Sequence, residues 1–208
     1  MMAKGMAEFQ QNSNLNGLDN LVEMDRYCYY VAGVVGEMLT ELFCDYSAQI
    51  ADNKKLLQHL AISFGQALQM TNLLKDIWED RQRGVCWLPQ DIFAPFELKN
   101  LTPNHYNPAF GDGLIKLIAI ANSHMHNALR YILLIPASEI GIRRFCLWAL
   151  GMAALTLRRI LKHKDFSQSQ QVKISRRSVK TTILISNLAT RSDISLRILF
   201  HLLTKNLP

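Results

Sequence analysis

Residues Leu60 to Gly84 read LAISFGQALQMTNLLKDIWEDRQRG. At 100° per residue, Gln69, Asn72, Asp76, Glu79, Asp80 and Arg83 fall within an arc of about 100°, with Gly65 on the same line. Leu68, Met70, Leu73, Leu74, Ile77 and Trp78 make the remaining surface apolar almost all round. A solvated outer face is one reading of such an arc. The apolar surround argues instead for a largely buried helix, and buried carboxylates need cations or a wet cavity. Asp76 and Asp80 stand one turn apart, about 6 Å along the axis. Two carboxylates at that spacing suit Mg²⁺, which keeps several waters and completes its shell from substrate phosphates. Asn72 and Gln69, one and two turns earlier, could orient a diphosphate or its waters.

Outward from this segment the chain reads as helix throughout. Glu23 to Tyr46, Asn53 to Arg83, Gly113 to Leu134, Glu139 to His163 and Arg177 to Thr190 carry apolar residues at three- and four-residue spacings. No alternating run bounded by turn signals calls for a sheet. Pro89, Pro95, Pro103 and Pro108 fill a long loop after Arg83, and Pro136 separates two helices. The expectation is a single all-α bundle over 1–208. With 208 residues, 49% of them apolar, one sizeable core is within reach.

Composition narrows the classes further. The uncharged apolar stretch Phe145 to Leu157 is shorter than a spanning helix requires, and the opening MMAKGMAEF has no apolar signal region. The expected location is cytoplasmic. Cys28, Cys44, Cys86 and Cys146 form no CxxC pair, which favours buried thiols over a disulfide framework or zinc site. His124 and His126 are two apart on a helix and diverge, which disfavours zinc. Charge is uneven: Arg158 to Pro208 holds 11 Lys/Arg against 2 Asp. That basic end asks for an anionic partner. It lacks interleaved aromatics and reader motifs, so no nucleic acid is expected; peripheral contact with an anionic membrane surface is.

The second informative stretch is MDRYCYYVAGVVGEMLTELF, Met24 to Phe43. Ala32, Gly33 and Gly36 strip one helix face of bulk at a cost of about 1 kcal/mol per Gly. Close helix packing explains this, and so does a cavity for a bulky ligand. Tyr27 lies below that face, where it could donate a hydrogen bond or assist proton transfer, or simply pack.

Together the two segments resemble the squalene/phytoene synthase family of head-to-head prenyltransferases. YCYYVAGVVG at Tyr27 to Gly36 is similar to the family's YC-x-x-VAG-x-VG helix, and LQMTNLLKDIWEDRQRG at Leu68 to Gly84 to its second aspartate motif. GMAEF (Gly5 to Phe9), WLPQ (Trp87 to Gln90) and VKISRR (Val172 to Arg177) resemble the squalene branch more than the phytoene branch. The resemblance implies an isoprenoid-synthase-like helical bundle with a central cavity. It implies the joining of two prenyl diphosphates, farnesyl diphosphate or a longer one, with Mg²⁺, and with NADPH where squalene is the product. Asp76 and Asp80 would then be metal ligands, with Asn72 and Gln69 beside them and Tyr27 handling a proton or positioning diphosphate. Phe145 would present its ring to a developing cation, against a plain core role. Lys173, Arg176 and Arg177 would meet a diphosphate or the NADPH phosphate, against a solvated basic face.

The pattern also departs from the family. Its first aspartate motif and an N-terminal arginine have no counterpart in this sequence, and Val85 stands where an arginine is common. The expectation is an N-terminally incomplete synthase domain, loosely matched over 168–208, with little activity by itself. The alternatives are a phytoene or dehydrosqualene synthase, and a non-catalytic synthase-like module for interaction or assembly.

Overall fold

The computed structural model describes residues 2–11 and 13–208. Among these the elements are helical, and the one β-type pairing is an isolated bridge between Leu18 and Pro89. The helices are α1 Met2–Gln11, α2 Leu21–Cys28, α3 Val34–Tyr46, α4 Ala48–Ala51, α5 Lys54–Lys75 and α6 Ile77–Gln82. They are followed by α7 Gln90–Phe93, α8 Pro108–Leu134, α9 Ile140–Lys162, α10 Ser169–Val172, α11 Arg176–Ala189 and α12 Asp193–Thr204. A π turn at Tyr29–Gly33 joins α2 to α3.

Their ends follow local chemistry. Asn20, Asn107, Ser175 and Ser192 each accept a backbone N–H from the first turn of α2, α8, α11 and α12. Pro108 opens α8, where its missing N–H is harmless. Gly84 follows α6 at φ +82°, a conformation that glycine adopts without strain.

α5 is the central element, packed on α8, α9, α3 and the π turn. Leu57, Ala67, Met70 and Leu74 are fully enclosed along it. The small-residue face of 24–43 turns out to be a packing device. A Cβ on Gly65 would lie 2.5 Å from the Ala32 carbonyl oxygen, and one on Gly36 would lie 2.6 Å from that of Ala61. Two helices this close leave no room for larger side chains at the crossing.

Three sequence expectations are revised. The helix over 53–83 is not continuous: Asp76, at φ −100° and ψ 15°, interrupts it between α5 and α6. The stretch 23–46 carries the π turn at YYVAG. α1, α12 and the short α4, α7 and α10 lie outside the five stretches read as helical. α12 is fastened by Arg143, whose fully buried guanidinium donates to the Ile135 carbonyl (2.8 Å), the Thr190 carbonyl (3.2 Å) and the Asp193 carboxylate (2.8 Å). All four cysteines are free and buried, and burial raises each thiol above its ordinary range.

α9 is long and apolar enough to cross a membrane by length and composition. Half of its most apolar window is buried inside the bundle, where α5, α8, α11 and α12 pack on it.

The crossing at Gly65 makes a direct prediction. Gly65→Val, pressed against the backbone of Ala32 and Gly33, costs about 2 kcal/mol or more in denaturant melts. Gly141→Ala, in open space at the start of α9, leaves stability unchanged or raises it by about 0.5 kcal/mol. Equal effects for the two variants would contradict the close-packing account.

Candidate active site

The α5–α6 segment presents its polar residues at one end of an apolar groove. The groove runs between the π turn, α3, α5 and α9, has a volume of about 220 Å³, and is lined by Val35, Gly36, Phe64, Gly65, Leu68 and Phe145 among others. Leu68 is its lining residue nearest in sequence to the polar set. Gln69 follows it on α5, and Asn72 lies one turn on.

The interruption at Asp76 matters here. Asp76 N still bonds the Asn72 carbonyl and Asp80 N the Asp76 carbonyl, both at 2.9 Å. The register of the two aspartates, one turn apart, is therefore kept. The Asp76 carboxylate is about one-third exposed (35%) and lies 3.2 Å from Lys75 Nζ, which also donates to Asn72 Oδ1 at 3.2 Å. Asp80 is more enclosed, at 15% exposure, with Arg83 at 3.5 Å as its counter-charge. Burial pushes the Asp80 carboxyl up to about 6; Arg83 opposes the shift, and Asp76 and Glu79 add to it.

The rest of α6 is clamped. Trp78 Nε1 donates to the Phe166 carbonyl at 2.7 Å, and Arg81 donates to the carbonyls of Leu98 and Lys99 at 2.9 and 3.1 Å. Glu79 turns from the polar arc to accept from the Ser169 hydroxyl. These ties fix the α6 axis and leave Asp76, Asp80 and Arg83 on the open side. The helical spacing puts Glu79 on the same arc; its long-range partner Ser169 carries no local signal. Arg81 was likewise missed, because its acceptors are backbone carbonyls of the proline-rich loop.

Tyr27 sits at the same end but not in the groove. Its ring is buried, stacked on Trp87 with centroids 4.5 Å apart and met edge-on by Phe9 at 5.3 Å. Burial, followed by the Asp80 and Cys28 charges, raises its hydroxyl to about 12. The hollow thus lies above Tyr27 rather than beside it. Asn72 is exposed, contrary to the expectation of a largely buried helix on all sides.

Phe145 is 52% exposed and forms part of the groove wall, edge-on to Phe43 at 6.5 Å, so it is not a core residue. Lys173, Arg176 and Arg177 are exposed around the α10–α11 junction, and α10 packs on both α6 and α9. They are near the α6 helix in the fold but do not line the groove. His124 Nδ1 is 2.7 Å from the Ser63 hydroxyl, and His126 meets Phe200 edge-on.

The donor set fits a magnesium ion. Among the described residues no cluster of three or more His, Cys, Asp or Glu is placed to hold a metal. Mg²⁺, however, takes one or two carboxylates with waters and substrate phosphate oxygens. A half-buried Asp80 whose ionisation burial opposes is a carboxylate short of positive charge. Such a group gains from an arriving cation.

Known proteins share this sequence pattern and fold. The family model described as "Squalene/phytoene synthase" matches residues 1–178. The chain belongs to the squalene/phytoene synthase family. These enzymes are prenyltransferases. It is 32% identical over 189 residues to "Squalene synthase ERG9" of Gibberella zeae and 33% identical over 170 residues to "Squalene synthase ERG9" of Saccharomyces cerevisiae. The alignments cover 87% and 79% of this chain but 38% and 37% of those proteins. The chain therefore spans about two-fifths of the length of the relatives it matches. Among solved structures, "The complex structure of TcSQS with ligand, E5700" superposes with TM-score 0.68 at 21% identity, covering 98% of this chain and 65% of that one. "Crystal structure of a dehydrosqualene synthase in complex with ligand" gives TM-score 0.67 at 24% identity, covering 89% and 62%. At those identities the two structures show the shared all-α fold.

The raised Asp80 pKa fixes the sign of a pH effect. The folded state holds the Asp80 proton up to about pH 6, whereas the unfolded chain releases it near 3.8. Its contribution to stability is whole at low pH and is lost as pH rises through that window. Asp80→Asn should therefore melt close to the parent near pH 4 and above it at pH 7.5, measured without divalent metal. A parent that gains on the variant as pH rises would refute the burial of this carboxylate.

Proposed function

We propose that Asp76 and Asp80 gather Mg²⁺ around the diphosphate of a prenyl diphosphate while the groove from Leu68 to Phe145 takes the chain. The observation that carries this reading is the junction of the two environments along the α5–α6 segment: a carboxylate pair at 76 and 80, partly exposed at Asp76, and an apolar hollow beginning at Leu68. Mg²⁺, when bound, supplies Lewis-acid neutralisation of charge on the leaving diphosphate.

The remaining work belongs to the chain. Lys75, held by Asn72 and Asp76, stands ready to pass its hydrogen bonds to phosphate oxygens. Gln69 and Asn72 orient the diphosphate or its waters. Tyr27, with its hydroxyl near 12, stays protonated at neutral pH and serves as a donor rather than a phenolate. The groove walls exclude water from an electron-poor carbon, and the exposed ring of Phe145 offers its face to a developing positive charge.

The proposed reaction is the one the resemblance to the squalene branch implies: head-to-head joining of two farnesyl diphosphates through presqualene diphosphate to squalene. Lys173, Arg176 and Arg177 would donate hydrogen bonds to the phosphate of NADPH, which would supply hydride where the product is squalene. The dehydrosqualene synthase likeness keeps the non-reductive product as the second reading. Among the described residues no further carboxylate is grouped with Asp76 and Asp80 to complete a metal site, so turnover is expected to be slow without carboxylates from an opposing element. A greasy substrate and product favour a cytoplasmic protein seated peripherally on a membrane.

The test incubates the chain with labelled farnesyl diphosphate and Mg²⁺, with and without NADPH. Slow release of diphosphate that Asp76→Asn and Asp80→Asn each lower at least tenfold supports the proposal. Release that is independent of Mg²⁺, or unaltered in both variants, refutes it. Squalene appearing only with NADPH selects the reductive branch.

A further inference from the structure

The two C-terminal helices carry bulky apolar residues on their outward faces. α11 turns Thr182, Ser186 and Ala189 inward, and Thr182 Cγ2 would lie 2.7 Å from a Cβ on Gly151 of α9. Its bulky residues face out: Leu184 is 62% exposed and Leu188 78%, with Ile185 beside them. α12 is apolar on both sides. It buries Leu196, Phe200 and Thr204 and exposes Ile194, Ile198 and Leu202, one turn apart along one line. Both helices pack on α9 and on each other, so both exposed stripes point away from the core.

Charge accompanies the stripes. Residues 176–208 carry Arg176, Arg177, Lys180, Arg191, Arg197 and Lys205. The one acid there is Asp193, already engaged by the buried Arg143. Arg197, His201 and Lys205 recur every fourth residue, alongside Ile194, Ile198 and Leu202. Large exposed apolar patches mark interaction surfaces. A helix face with bulky aliphatics flanked by Lys and Arg matches what lies in the interface of an anionic bilayer.

We propose that the α11–α12 hairpin docks on an anionic lipid membrane, with Leu188 and Ile198 entering the headgroup layer and the basic residues meeting lipid phosphates. A second copy of this chain is disfavoured by charge, since a self-paired patch would set like-charged rims against each other. The inference gives a place to the membrane seat proposed above. It rests on a surface apart from the aspartates, so it can fail while the transferase reading stands.

The experiment is flotation of the whole chain with vesicles of phosphatidylcholine alone or with 30% phosphatidylserine, in 0.1 M and 0.5 M salt. Binding to the anionic vesicles, weakened by salt, is expected. Leu188→Glu combined with Ile198→Glu should abolish it, and Arg177→Gln with Lys180→Gln should weaken it about 30-fold. All four positions are exposed, and circular dichroism melts matching the parent will show that the variants fold. Asp76→Asn should float like the parent. Failure to float, or equal binding to neutral vesicles, overturns the proposal. So does a dimer in light scattering that Leu188→Glu and Ile198→Glu dissolve while vesicle binding is absent.

Discussion

The close crossing of α5 with the π turn and α3 is the constraint on which the rest depends. At Gly65 and Gly36 the helix backbones approach so nearly that a methyl group would collide with a carbonyl. That contact fixes the axis of α5, and with it the height at which Leu68 meets the groove and Asp76 leaves it. Above the crossing the walls are aliphatic and aromatic; below it stand carboxylates, amides and Tyr27. The α5–α6 segment thus offers an apolar environment and a charged one, which is the division an amphiphilic diphosphate requires.

The lower end is held from outside the helix. Trp78, Glu79 and Arg81 each reach a partner distant in sequence, in Phe166, Ser169 and the loop at Leu98 and Lys99. With three of six residues of α6 tied to neighbours, Asp80 is half sunk within electrostatic reach of Tyr27. Its ionisation is opposed by burial and only partly answered by Arg83. A carboxylate kept short of cations in this way binds an incoming metal better than one already paired.

The sequence told more about element type than about direction. Apolar spacing located the long helices, and the spacing of Asp76 and Asp80 placed them on one side. It could not show that Asp76 would interrupt the helix, because the turn is imposed by the ties on α6. It could not show Glu79 rotating to Ser169 for the same reason. The Ala32, Gly33 and Gly36 face left packing and cavity open. Both hold: the glycines pack, and the hollow begins at the same residues. Phe145 was weighed against a core role because aromatic residues in apolar helices are usually buried, and only the neighbours of α9 show its ring at the groove wall. α12 was missed since its outward side is as apolar as its inward one. Its periodicity is blurred for the reason that makes it a docking surface.

The central claim is that the Asp76–Asp80 pair takes up a divalent cation together with a diphosphate. Titration of Mn²⁺, followed by electron paramagnetic resonance in the presence and absence of inorganic diphosphate, tests it directly. The account predicts weak Mn²⁺ uptake by the chain, strengthened at least tenfold by diphosphate and lost in both Asp76→Asn and Asp80→Asn. Uptake indifferent to diphosphate, or retained in the two variants, would contradict it.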